Sequence, residues 1–342
     1  YATIGFAATV LIFAGRLAQG FSAGVELGGV SVYLSEIAEP HNRGFITSWQ
    51  SASQQVAVIF AATLGYVVSL VFTKAQVADW AWRIPFFVGC AIIPFIFWLR
   101  KSLTETEAFA SRTEHPTTAQ IMSTLAANWK IVLTGMCMVA TTTTMFYFIT
   151  VYTPTYGKEV LHLTSAESLL ATVMVGASNF ILLPIGGYLS DKIGRKPLLI
   201  ATTTLIFVTA YPLLSWLTQN ISLSHMLVSL LWLSLLYSFY NGALVVSLTE
   251  MMPSSVRIAG FSVAYSLATS VFGGLTPMIA TYLVEQSGSK SMPAFWLMFA
   301  AIISLIATLI VFRQRQSRSE PKAPLGAQLA RQNTGKLMNQ TT

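Results

Sequence analysis

Charged residues are scarce in this sequence. Asp, Glu, Lys and Arg make up 10% of its 342 residues, whereas a typical soluble domain contains about 25%. Hydrophobic residues make up 54%, which is more apolar side chain than a protein of this size can bury. The composition therefore excludes an ordinary soluble protein and predicts a chain whose surface is partly in contact with lipid.

Cysteine is also scarce, and the usual enzyme motifs are missing. Cys90 and Cys137 are isolated within apolar runs, which excludes a disulfide framework. The four histidines lack the spacing of a metal site, and the sequence contains no P-loop. No acid–base or nucleophile–base arrangement is present either. We therefore expect no enzyme activity, no bound metal and no cofactor.

Apolar runs long enough to cross a bilayer, about 20 residues each, recur along the chain. We predict nine spans, at residues 8–36, 46–72, 83–99, 131–153, 168–190, 197–217, 226–250, 259–284 and 293–312.

The distribution of Lys and Arg predicts the orientation of these spans. If the first span ends inside the cell, 15 of the 20 Lys and Arg residues lie on the inside and one, Arg16, lies within a span. The four on the outside are Lys74, Arg83, Lys158 and Lys290. Cytoplasmic loops carry such an excess of cations, so the net charge of +7 reflects topology rather than a nucleic-acid surface. The sequence predicts a multi-pass inner-membrane protein with a cytoplasmic C-terminus.

Two segments resemble each other and suggest an internal duplication. Glu36 precedes Arg43 by seven residues, and Glu250 precedes Arg257 by the same interval. Each segment follows one apolar span on the inside and leads into another. If they are equivalent, they end the fourth and tenth of twelve spans. We then expect the first three spans to be missing, a partial N-terminal half at 1–100, a cytoplasmic loop at 101–130, a C-terminal half at 131–312 and a disordered cytoplasmic tail at 313–342.

The loop GYLSDKIGRKP at residues 187–197 joins two spans on the inside. Gly187 permits close helix packing, Asp191 lies near a helix end, and Gly194 permits a sharp turn. The loop resembles the signature loop of the major facilitator superfamily, which implies an all-α bundle of twelve transmembrane helices, nine of them in this sequence. The resemblance implies a cytoplasmic gate; a tight turn with basic anchors is the structural alternative.

Further segments narrow the resemblance. The sequence RLAQGFSAGVELGG at 16–29 resembles the fourth-span motif of the metabolite:proton symporter family. TSWQSASQQ at 47–55, WRIPFF at 82–87, FITVYTPTY at 148–156 and FGGLTP at 272–277 resemble its citrate–proton symporter branch, in which a close relative carries tricarballylate. The resemblance implies a symporter, driven by the proton gradient, that imports citrate or a related tricarboxylate by alternating access.

Two charged residues lie clearly inside a predicted span, where charge is costly by at least about 2.5 kcal/mol. Arg16 and Glu26 are about 15 Å apart along the helix axis and share one broad side. Arg16 is a candidate to bind a substrate carboxylate or to take part in proton coupling. Glu26 is the candidate proton carrier. A structural ion pair for Arg16, and an interhelical hydrogen bond for Glu26, are the alternatives.

Neutral polar residues within the spans are further candidates for substrate binding, with interhelical hydrogen bonding as the alternative for each. They are Gln50, Gln54, Tyr147, Asn179 and Asn241. The predicted cytoplasmic gate comprises the ionic and turn residues at inside span ends, namely Glu36, Arg43, Gly187, Asp191, Gly194, Arg195, Lys196, Glu250 and Arg257.

The expected partners are a small organic acid, protons and the lipid bilayer, with the protein acting as a monomer. Another organic acid (tricarballylate, a dicarboxylate or an aromatic acid) or an osmolyte is the alternative substrate. A membrane sensor that does not transport is the alternative from another functional class.

Overall fold

The computed structural model describes residues 5–102, 118–253 and 257–319, and every regular element in these ranges is helical. The long helices follow the predicted spans closely. The bounds are α1 Phe6–Ile37, α2 Arg43–Val71, α3 Lys74–Asp79, α4 Ile84–Ser102, α5 Thr118–Ala127, α6 Trp129–Val160, α7 Ser165–Ile193, α8 Arg195–Gln219, α9 Leu223–Met251, α10 Arg257–Ser287 and α11 Pro293–Ser319.

Eight helices in the described ranges are long and apolar enough to cross a membrane: α2, α4 with the turn before it, and α6 to α11. The first predicted span lies in α1, whose 32 residues correspond to about 48 Å of helix, more than a bilayer core of about 30 Å. The predicted all-α membrane fold is therefore confirmed.

Two predicted irregular regions contain helix. The short helix α5 lies within the expected cytoplasmic loop at 101–130, of which residues 103–117 fall outside the described ranges. Helix α11 continues from the last predicted span to Ser319, into the expected tail. Arg313, Arg315 and Arg318 belong to its last two turns. Residues 320–342 of the expected tail also lie outside the described ranges.

Local sequence signals determine where α7 begins and ends. Thr164 accepts a hydrogen bond from the Glu167 amide, and the Glu167 side chain accepts one from the Thr164 amide. This reciprocal capping box satisfies backbone donors at the helix start. At the other end Gly194 has φ 100°, a conformation that side chains other than glycine rarely adopt. The sharp turn predicted at Gly194 therefore separates α7 from α8.

The helix pair α2 and α7 joins the N-terminal group of helices (α1–α4) to the C-terminal group (α6–α11). The two helices run antiparallel and are in contact along most of their length. A Cβ on Gly176 would lie 2.8 Å from Ile59, and one on Gly187 would lie 2.3 Å from the Gly44 carbonyl oxygen. Small residues thus allow the two backbones to approach closely, as in other membrane helix pairs.

A second contact between the groups is formed by α1 and α10. A Cβ on Gly28 would lie 2.0 Å from Ser262 Oγ, and Leu27 packs into an apolar cluster formed mainly by helices of the C-terminal group. The α1–α10 pair therefore adds to the α2–α7 pair in joining the two groups.

The helix α6 departs furthest from regular α-helical geometry. Its first part, Trp129–Phe146, continues through π-helical turns at Tyr147–Tyr152 and Tyr156–Val160. Ser304 of α11 also inserts into its hydrogen-bond ladder: the Thr141 amide donates to Ser304 Oγ, which in turn donates to the Cys137 carbonyl. Such insertions are a recognised cause of helix bending.

Candidate functional site

Asp191 occupies the start of α2, although it belongs to the end of α7. Its carboxylate accepts hydrogen bonds from the amides of Gly44 at 2.9 Å and Phe45 at 3.0 Å. The residue before α2, Asn42, provides no side-chain cap of its own. A carboxylate at a helix N-terminus satisfies free amides and interacts favourably with the helix dipole. Asp191 thus connects the C-terminal group of helices to the N-terminal group.

Arg195 extends this connection to a third helix. Its Nη2 lies 3.1 Å from Asp191 Oδ1 and 3.2 Å from Glu250 Oε1, at the end of α9. The Asp191 side chain is only 2% exposed and that of Arg195 17%. These partners are more shielded from water than an ordinary surface ion pair, so salt should screen them less.

The two repeated segments meet at the same end of the bundle. Arg257 Nη1 lies 3.5 Å from Glu36 Oε1, and a cavity of about 270 Å³ is lined by Ser35, Glu36, Arg43, Thr249, Glu250 and Arg257. Thr249 also donates a hydrogen bond to Ser35, 3.2 Å away, so equivalent positions of the repeat contact each other.

All nine predicted gate residues lie at this end of the bundle, which we call the Asp191 end. Gly187 is in backbone contact with Gly44, while Gly194, Arg195 and the half-buried Lys196 follow Asp191 in the turn. A Cβ on Gly242 of α9 would lie 2.5 Å from the Gly187 amide nitrogen. The helices α2, α7 and α9 are therefore in backbone contact beside the ionic network.

The predicted substrate residue Asn179 lies at the buried seam between α2, α7 and α9. Its Nδ2 donates to Gln55 Oε1 at 3.3 Å, and its Oδ1 accepts from Ser234 and from Ser238. All four of these side chains are fully buried. Asn179 thus joins the two groups of helices through a continuous polar contact.

Asn241 lies in a second buried polar seam, between α6 and α9. Its Oδ1 accepts a hydrogen bond from Thr142 Oγ1 at 2.8 Å. Its Nδ2 is buried and has no hydrogen-bond partner among the described residues, and the same holds for Thr141 Oγ1 and Thr144 Oγ1. A buried donor without a partner is costly, so this seam has capacity for a further polar group.

Three further predicted substrate residues lie on α2 and α6. Tyr147 is half-buried at the first π-helical turn of α6, where its ring lies against Gly273 of α10. Gln50 is buried and accepts a hydrogen bond from Ser51. Gln54 is exposed, and its neighbour Gln55 is the glutamine that contacts Asn179.

The charged pair predicted within the first span is only partly described. Arg16 and Glu26 both belong to α1, the side chain of Glu26 is exposed, and the side chain of Arg16 lies outside what the structure describes. The exposed face of α1 at Glu26 is thus accessible to a partner.

At the end opposite Asp191 the two groups of helices diverge. A cleft of about 780 Å³ opens there between α2–α3 and the adjoining ends of α6 and α7. The described helices are therefore joined by polar contacts at the Asp191 end and separated by a cleft at the opposite end.

The family model of sugar (and other) transporters matches residues 2–316. The chain belongs to this transporter family. A citrate-proton symporter of Salmonella typhi is 57% identical over 91% of this chain and 72% of its own length. The citrate-proton symporter of Klebsiella pneumoniae is 55% identical over 92% of this chain and 71% of its own length. A proline/betaine transporter of Escherichia coli (strain K12) is 29% identical over 90% of this chain and 63% of its own length.

Solved structures support the same fold. The structure of the xylose transporter XylE from E. coli in a partially occluded inward-open conformation has a TM-score of 0.60 at 18% identity. The match covers 83% of this chain and 66% of the XylE chain. The chain thus spans about two thirds of the length of a complete transporter of this fold.

Sequence reasoning did not select Ser234 or Ser238, which complete the Asn179 seam. A signal was present, since Ser234 and Ser238 are four residues apart and share one helix face. Ser304 was also missed, because a single serine in an apolar span does not reveal which neighbouring backbone it contacts.

Proposed function

We propose that this chain forms the larger part of a proton-coupled symporter that imports citrate or a related tricarboxylate by alternating access. The observation that carries the proposal is the 57% identity, over 91% of the chain, to a protein named citrate-proton symporter. The proline/betaine transporters are much less similar, at 29%. Another organic acid of the same charge class remains the second candidate. The proposal includes no enzyme activity and no transport-independent sensor role.

The proposed orientation places the Asp191 end in the cytoplasm, together with the C-terminus. It is supported by the excess of Lys and Arg in the segments on that side. The protein would then lie in the bacterial inner membrane as a monomer. Three helices preceding α1 would complete the N-terminal half, with the loop at 101–130 joining the halves.

The contacts at the Asp191 end would form the cytoplasmic gate. Asp191 bonds to amides of α2, and Arg195 connects it to Glu250 on α9. Opening the gate requires these contacts to separate while α2 and α7 move relative to each other. The Arg257–Glu36 pair is more exposed and would contribute less to the closed state.

Within the bundle, we assign substrate binding to a buried polar group with a free donor and to polar side chains of α1, α2 and α6. The free amide donor of Asn241 suits a substrate carboxylate or hydroxyl. Arg16 would contribute a guanidinium to a carboxylate, Glu26 would carry the proton, and Tyr147, Gln50 and Gln54 would contribute weaker contacts. The contacts of Asn179 support a role in joining the halves at least as well as substrate binding.

The test uses the full-length protein in cells without other tricarboxylate carriers. Uptake of labelled citrate is measured with and without a protonophore, and with unlabelled tricarballylate as competitor. Uptake that depends on the protein and is abolished by the protonophore supports proton-coupled citrate transport, and competition extends the substrate to tricarboxylates generally. Absence of citrate uptake would refute the substrate assignment and direct the search to tricarballylate and dicarboxylates.

A further inference from the structure

The cleft opposite the Asp191 end lies where α2 and α7 separate. The two helices are still in contact at Gly65 and Leu169, where an added Cβ would lie 3.5 Å from the leucine side chain. One turn further along, Ser69 of α2 and Ser165 of α7 line opposite walls of a cavity of about 780 Å³. Small-molecule sites commonly measure about 300–1,000 Å³, so the cleft can hold a six-carbon acid.

Cationic side chains line both walls of this cleft, which we call the Lys74 cleft. The cation Lys74 comes from the N-terminal group, whereas the cation Lys158 comes from the C-terminal group, which also contributes the imidazole of His162. All three side chains belong to exposed residues. Only four Lys or Arg residues are predicted on this face of the protein, and two of them line one cavity. The positive-inside bias does not explain such a concentration on the outer face.

The acidic residues nearby leave this positive charge largely in place. Glu159 lies 2.7 Å from Lys158, but both side chains are more than half exposed, and such surface pairs contribute little. Glu167 is engaged in the capping box with Thr164. Among the described residues, Lys74 has no hydrogen bond or ion pair.

Other groups in the cleft suit a hydroxylated polyanion. The Ser165 hydroxyl lines the same cavity and can donate a hydrogen bond to a carboxylate, whereas the hydroxyls of Ser69 and Thr164 already donate to Tyr66 and Glu167. Trp82 forms part of the wall, and the Arg83 guanidinium lies 4.4 Å from its ring centroid. A further cation is therefore placed at the edge of the cleft.

We propose that the Lys74 cleft is an outer binding site for polycarboxylates, which holds the anion before it enters the passage between the two halves. The proposal rests on the proposed function for its substrate class and orientation. Cations on opposite walls of a cleft attract a di- or trianion more strongly than a monoanion. Because the lysines are exposed to water, binding is weak, and weak binding permits onward release.

The kinetic test uses the full-length protein with Lys74→Gln, Lys158→Gln and the double substitution. Lys290→Gln is the matched control, because it removes the same charge from the same predicted face and Lys290 does not line the cleft. The expected result for the double variant is an apparent KM for citrate raised about threefold to tenfold at unchanged maximal rate. A KM equal to that of the Lys290→Gln control would overturn the proposal.

A labelling test does not depend on transport. Ala166 lines the cleft. In the full-length protein, Ala166→Cys is labelled with a membrane-impermeant maleimide in intact cells, and the same protein without this substitution gives the background from its native cysteines. Citrate should slow labelling of Ala166→Cys, with or without Lys290→Gln, but not in the lysine double variant. Protection that persists in the double variant means that the cleft closes over a ligand bound elsewhere, and overturns the proposal. Citrate protection without citrate uptake retains the cleft and refutes the proposed function.

Discussion

Replacing Gly187 with alanine should weaken the closed state of the Asp191 end. The new Cβ would lie 2.3 Å from the Gly44 carbonyl oxygen and 2.7 Å from the Gly44 carbonyl carbon. Both are backbone atoms, so no side-chain rotation relieves the overlap. Carbon–oxygen contacts are ordinarily no shorter than about 3.3 Å, and α2 and α7 must therefore separate by about 1 Å here.

That separation acts directly on the carboxylate bonds between the two helices. Asp191 accepts from the Gly44 and Phe45 amides at 2.9 and 3.0 Å, and an added 1 Å, roughly, places both beyond hydrogen-bond range. A hydrogen bond to a charged group contributes about 1.5–3 kcal/mol. Loss of the two bonds, about 3 kcal/mol or more, would shift the equilibrium between closed and open states by about a hundredfold.

The assay combines transport with accessibility in the full-length protein. Ser35→Cys serves as the reporter, because Ser35 is buried and contacts Thr249 at the Asp191 end. In inside-out vesicles, Gly187→Ala should accelerate maleimide labelling of this cysteine and lower the maximal rate of citrate uptake. The control is Gly89→Ala on α4, where an added Cβ has no atom within 4 Å.

Two results would contradict this reasoning. Labelling and uptake of Gly187→Ala equal to those of Gly89→Ala would mean that the close backbone contact does not hold the gate closed. Slower labelling from the Asp191 side would mean that the substitution stabilises the closed state, the opposite of the expected direction.

Three further predictions concern individual contacts. Asn179→Leu removes the polar contacts of a fully buried seam and should lower the stability of the protein by about 2 kcal/mol. The effect is measured through the melting temperature of the purified protein. The control Asn220→Leu, in the turn after α8, should change the melting temperature little. Combining Glu36→Arg with Arg257→Glu reverses the ion pair and should restore part of the uptake lost by each single change, with a coupling energy under about 1 kcal/mol. If uptake by the double variant is no better than that by the worse single variant, the pair does not act as a unit. His162, at φ 59°, should tolerate glycine better than alanine by about 1 kcal/mol, and equal melting temperatures of the two variants would contradict that.

The nature of the protein as a membrane bundle was predictable because the signals are local. Each apolar run has its own length and each loop its own number of cations, so neither signal requires knowledge of packing. The Asp191 end was predictable for the same reason. Glu36, Arg43, Glu250 and Arg257 all lie at ends of spans, and membrane topology alone places such ends on one side.

The contacts inside the bundle were less predictable because they depend on how each helix is rotated about its axis. Neighbouring residues on a helix point about 100° apart. The rotation of α2 about its axis therefore decides whether Gln54 or Gln55 is buried. In the structure Gln55 is buried and contacts Asn179, whereas Gln54 is exposed. The rotation of α2 is set by its close packing on α7, with Gly44 against Gly187, which no single segment reveals.

By itself, the sequence determined that the chain contains many membrane-spanning segments and which charged residues lie together at one end. The tertiary structure decided that Asp191 bonds to the amides of α2 as well as to Arg195, and that Lys74 and Lys158 face one cleft from opposite walls. Hydropathy and charge bias can be evaluated for each segment separately. These contacts, in contrast, form only when packing brings together residues that lie on different helices, some of them more than 80 positions apart.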